Sequence, residues 1–118
     1  MKGSIAGMLA VTLWSAHATG ALAQSNGPLT VRWQEGAQDC ASSPQRPLQV
    51  HRYDHHTFLL RQNPCSSPEA NFLYLLIGQE RALLIDSGAI ADPGRMPLAA
   101  TVTGLLPRKD GTSLPLVV

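Results

Sequence analysis

Residues 71–88 read Asn-Phe-Leu-Tyr-Leu-Leu-Ile-Gly-Gln-Glu-Arg-Ala-Leu-Leu-Ile-Asp-Ser-Gly. Asn71 to Ile77 and Arg81 to Asp86 are continuous apolar runs joined by Gly78-Gln79-Glu80. Runs this short, apolar at successive positions and bounded by turn residues, predict two adjacent strands buried on both faces. Asp86-Ser87-Gly88 ends the second strand in a turn, because Asp and Ser side chains accept bonds from nearby backbone N–H groups.

Working outward, Leu48–Tyr53 and Thr57–Gln62 are two shorter β-type runs around Asp54-His55-His56, the pattern of a hairpin. Asn63 to Pro68 is a loop, since Pro64 and Pro68 each fix φ and remove a ladder donor. Downstream, Leu98, Val102, Leu105 and Leu106 fall at i, i+4, i+7 and i+8, one face of a helix. Pro97 suits its first turn and Pro107 stops it. Arg108 to Gly111 then turns the chain into Leu114–Val118, a last apolar strand. The expected class is therefore α+β: four strands, one helix and one further strand, over residues 48–118.

Residues 24–47 have a different texture. They are rich in Pro, Ser and Gly and predict an extended arm, with a brief Leu29, Val31, Trp33 alternation that suits one edge strand. Residues 1–23 carry the parts of a secretory signal peptide: Lys2, the apolar run Ile5 to Trp14, and Ala21-Leu22-Ala23 before Gln24. The run is too short for a hydrocarbon layer that needs about 20 residues, so no stable membrane span is expected. Export, to a periplasm or beyond the cell, with cleavage near Ala23-Gln24 is the expectation.

Charge sets limits on partners. The full chain has nine Lys+Arg against eight Asp+Glu, and charged residues make up only 14% of it. Lys2 is the one basic residue of the leader, so the chain from Gln24 is formally neutral. A neutral chain without a basic stripe has no electrostatic reason to seek nucleic acid or anionic lipid. Cys40 and Cys65 are the only cysteines. In an oxidising compartment they can join, closing a loop worth roughly 3.5 kcal/mol in the chain-entropy model. The alternative is two free thiols, and no neighbouring residue pattern marks either as a nucleophile.

Other candidate sites are weaker. His51, His55 and His56 lie in β-type and turn sequence rather than at helical ligand spacing, so solvated hairpin residues are expected over a metal site. Ser87 lacks a Gly-x-Ser-x-Gly context. Trp33 and Tyr53 suit packing of the arm on the hairpin better than a ligand platform. No Gly-rich phosphate loop occurs.

Residues from about 50 to 118 resemble the opening of a metallo-β-lactamase-fold hydrolase. The stretch that carries the likeness is Asn71-Phe72-Leu73-Tyr74-Leu75-Leu76-Ile77-Gly78 followed by Ala82-Leu83-Leu84-Ile85-Asp86-Ser87-Gly88. It is similar to the family's strand pair ending in a "LIDTG"-like turn, with Ser87 in place of Thr, and the helix and Leu-Pro-Leu-Val-Val strand follow in the family's order. The resemblance implies the first half of an αβ/βα sandwich and, for a full-length member, hydrolysis of a small-molecule substrate by zinc-bound water. It brings no zinc ligand to this chain, because no His-x-His-x-Asp-His segment is present. Only Asp86 carries over, as a residue at the strand end that orients metal ligands; as an ordinary turn residue it caps Ser87-Gly88 N–H groups instead. Neither a catalytic residue nor a metal ligand is assigned.

Two functional expectations follow. One is the N-terminal fragment of an exported hydrolase, silent as it stands and completed only by a missing half. The other is a small disulfide-stabilised exported binding or structural module.

Overall fold

The computed structural model describes residues 31–42 and 45–118. The leader, its cleavage point, and Leu29 of the supposed edge strand lie outside the described residues. Strands β1 (Leu48–Arg52), β2 (Thr57–Gln62), β3 (Phe72–Ile77) and β4 (Ala82–Ile85) are followed by helix α1 (Leu98–Leu105). A small hairpin, β5 (Arg108–Lys109) and β6 (Thr112–Ser113), then leads to β7 (Leu116–Val117). The class is α+β, with a mixed sheet in the order β1-β2-β3-β4-β7 and the hairpin as a separate two-stranded sheet.

The first four strands form an antiparallel meander, in which register follows from side-chain parity. Leu60 stands opposite both Val50 and Leu73, and Leu75 opposite both Phe58 and Leu84. One face of the sheet therefore gathers Leu48, Leu60, Leu73, Leu75, Ala82 and Leu84, all buried. Helix α1 covers that face with Val102 and Leu106, and Met96 fills the space before it. Leu98 and Leu105 pack at the margin, so the four residues picked out by helical spacing do face the core. Leu60, Leu73 and Leu75 are completely enclosed, and each contributes roughly 2 kcal/mol by burial.

The other face corrects the expectation of strands buried on both sides. Tyr74, Leu76, Leu83, Ile85 and Val117 are between 37% and 46% exposed. Apolar residues at both parities call for two covering layers, and α1 supplies one. Over the opposite face the described residues place only the arm, at one end: Trp33 meets Phe72 and His51 edge-on, with ring centroids 5.0 and 5.7 Å apart.

Two further differences have local causes. The arm is not an edge strand at Val31 and Trp33. It docks instead through the Gln49 side chain, whose Nε2 donates to the Arg32 carbonyl (2.9 Å) and whose Oε1 accepts the Gln34 N–H (2.7 Å). The last strand is also shorter than Leu114–Val118. Pro115 has no N–H to give the ladder, although its carbonyl accepts the Ala82 N–H at 2.8 Å, and Leu114 bonds back to Pro107. The expected turn at Arg108–Gly111 is the tip of the β5–β6 hairpin, with Asp110 and Gly111 both at positive φ, as a two-residue hairpin turn requires.

Cys40 and Cys65 form a disulfide across a sequence separation of 25, tying the arm to the loop after β2. It lies outside the core under α1. Replacing both cysteines by serine should lower the unfolding free energy by about 3 kcal/mol while leaving the far-ultraviolet signature of the sheet intact. Denaturant titration of the oxidised chain and the double variant measures the difference; equal stabilities would show that the cross-link contributes nothing to folding.

Candidate functional site

The turn after β4 is the most constrained surface feature. Asp86 adopts φ 70° and Gly88 φ 75°, so the chain reverses through two left-handed positions separated by Ser87. Asp86 Oδ1 accepts the Gly88 N–H at 2.7 Å, which offsets the strain of a non-glycine residue at positive φ. This is the bond an ordinary turn residue makes at this position. Its carboxylate is exposed at the carboxyl end of β4.

Behind the turn lies a contact that motif reasoning missed. Gln62, fully buried at the end of β2, accepts the Ala89 N–H through Oε1 at 3.1 Å and points Nε2 at Met96 Sδ, 2.7 Å away. A β-carbon on Gly88 would stand 2.9 Å from Met96 Cε and 3.0 Å from the Gln62 amide. Gln62 thus welds the turn to the sheet. A signal was present: Gln62 shares the parity of Phe58 and Leu60, and a polar residue at a core position must find partners. Met96 lies between Pro93 and Pro97, where neither periodicity applies.

A groove of about 420 Å³ opens beside the turn, lined by Ser87 to Ala91, Pro93, Met96, Leu98 and Ala99. None of these side chains is titratable, so the groove can hold apolar surface but supplies no acid, base or metal ligand. Strand β7 pairs parallel to β4, Ala82 with Leu116 and Leu83 with Val117, so both strands point their carboxyl ends to the Asp86 edge. In open α/β sheets that edge is where ligands bind.

The histidines are dispersed rather than clustered. His51 is half-buried under Trp33, which corrects the expectation of a solvated residue. His55 and His56 are exposed at the β1–β2 tip. His55 Nδ1 accepts from Arg52 Nη2 at 2.8 Å, and Asp54 Oδ1 accepts the His56 N–H at 2.8 Å. Among the described residues no three His, Cys, Asp or Glu side chains come together to hold a metal ion. Trp33 is engaged in packing through His51 and Phe72. No helix of the described residues is long and apolar enough to cross a membrane.

Comparison of the chain with protein-family models, curated proteins and solved structures returns no match.

Gly88→Ala should cost about 2 kcal/mol or more, from the left-handed backbone and the collision with Met96 and Gln62. Asp86→Asn, which keeps the acceptor and tolerates positive φ, should be nearly neutral in the same urea titration. At the hairpin tip, the His56 N–H bond holds the Asp54 carboxyl below its ordinary 3.8, against a smaller opposing effect of desolvation. A depressed carboxyl stabilises the fold above its unfolded pKa, and this is lost as pH falls through the folded value. An NMR titration should find the Asp54 midpoint below that of an unfolded reference peptide; an equal midpoint would mean the tip bond does not persist in solution.

Proposed function

We propose that residues 48–118 are the N-terminal part of a metallo-β-lactamase-like domain from an exported zinc-dependent hydrolase. The observation that carries this is the parallel crossover. A four-strand meander ends in the Asp86-Ser87-Gly88 turn, passes through α1, and returns as β7 beside β4, with its carboxyl end at the Asp86 edge. In the family that strand runs on into the His-x-His-x-Asp-His motif. Residues entering from β7 would meet Asp86, whose carboxylate would then orient ligand imidazoles. Zinc and a small-molecule substrate belong to the completed domain in this reading. Residues 1–118 hold no His-x-His-x-Asp-His motif, so in this reading the zinc chemistry depends on residues that supply it to the Asp86 edge.

The second class, a small exported binding or structural module, shares the Cys40–Cys65 disulfide. The two part at the gene. Reading the DNA beyond codon 118 in all three forward frames should reveal a His-x-His-x-Asp-His segment soon after the β7 codons. Its absence from every frame would overturn the hydrolase reading and leave the module.

A further inference from the structure

We propose that the Cys40–Cys65 disulfide is a redox-operated clasp: reduction by a dithiol frees the arm and uncovers Phe72 and His51, while the sheet under α1 stays folded. The two cysteines are held unequally. Cys65 belongs to the sheet side, because its N–H donates to Asn63 Oδ1 at 2.8 Å and Asn63 is itself buried and fixed. The Asn63 backbone N–H donates to the Pro47 carbonyl at 2.9 Å, and its Nδ2 to the Arg46 carbonyl at 3.2 Å. Cys40 is exposed and opens a short 3₁₀ turn, Cys40–Ser42, that bonds locally. There Asp39 Oδ1 accepts the Ala41 N–H, and the Asp39 carbonyl accepts from Ser42 Oγ. When the cross-link opens, the Cys65 half stays with the sheet and the Cys40 half leaves.

The other grips on the arm are weak. The Gln49 amide bonds Arg32 and Gln34, Gln45 Nε2 donates to the Gly36 carbonyl at 3.4 Å, and Trp33 meets Phe72 and His51 by ring edges. Fixing the backbone of residues 31–40 costs more per residue than a partly solvated hydrogen bond returns, so these contacts hold only while the disulfide restrains the arm. The reduction also has a direction. A dithiol thiolate attacks the sulfur of the exposed residue, Cys40. The S–S bond breaks and its electron pair passes to Cys65 Sγ, where the Ala37 N–H, donating at 3.3 Å, stabilises the departing negative charge. Cys40 is then joined to the dithiol. The second thiolate attacks the dithiol sulfur of that bond, which expels Cys40 and closes a cyclic disulfide. The dithiol has lost two electrons, and the two protons it gave to water return on the Cys40 and Cys65 sulfurs. None of this rests on the hydrolase reading.

Amide hydrogen exchange of the chain with and without dithiothreitol, with alkylation to count free thiols, tests it. Once both thiols are free, the Gln34 and Ala37 amides should exchange about tenfold faster or more, approaching the rate of an unfolded peptide. The amides of β2 and β3 should remain about a hundredfold or more slower than that peptide. Reoxidation should restore the arm's protection, and the double variant Cys40→Ser/Cys65→Ser should show fast arm exchange with or without dithiothreitol. Should that variant fail to fold, the reduced native sequence supplies the same comparison. A brief pulse of glutathione, quenched by alkylation, should leave its adduct on Cys40 in the peptide mass map, which a merely structural cross-link does not dictate. Arm amides that stay protected after reduction, sheet amides that open with them, a disulfide that resists the dithiol until the chain is denatured, or an adduct on Cys65 would each overturn the proposal.

Discussion

Contact between the sheet and α1 holds everything else in place. Leu60, Leu73, Leu75 and Leu84 lie on neighbouring strands at one parity, and Val102 and Leu106 close over that face. This layer fixes the register of the meander, since a slip of one residue would turn leucines out and Tyr74 or Leu83 in. It also decides where the crossover lands. A helix seated on this face returns the chain to the β4 edge, and only then can β7 add in parallel.

Much of this is legible in the residues. Elements β1 to β4 and α1 announce themselves by short apolar runs between turn residues, helical spacing and proline punctuation, because each is set by local rules that a single sequence carries. Exposure on the far face is not legible. Leu76 and Leu83 have the chemistry of covered residues, and nothing in a strand's own sequence says whether a second layer exists. The same holds for β7, where Pro115 limits pairing to Leu116–Val117 although the whole segment is apolar.

The turn at Asp86 divides along the same line. Its residue types point to a turn with a capping carboxylate, and Asp86 Oδ1 does accept the Gly88 N–H. That it is also held from behind depends on Gln62 and Met96, which lie 24 residues before Asp86 and 10 after it. A buried polar pair of this kind exists only in three dimensions, because β2 and β4 are two strands apart in the sheet. Its effect is to tie the turn after β4 to the end of β2.

The two-point attachment of the arm bears on the order of assembly. The arm is gripped by the Gln49 amide on β1 at one place and by Cys65 in the loop after β2 at another. A slipped β1 would turn Gln49 toward α1 and leave the arm unanchored. The meander is a local structure that can form early, whereas Cys40 must travel in from outside it. The disulfide therefore ties down a segment that the local meander does not itself need, at a second point independent of the Gln49 amide.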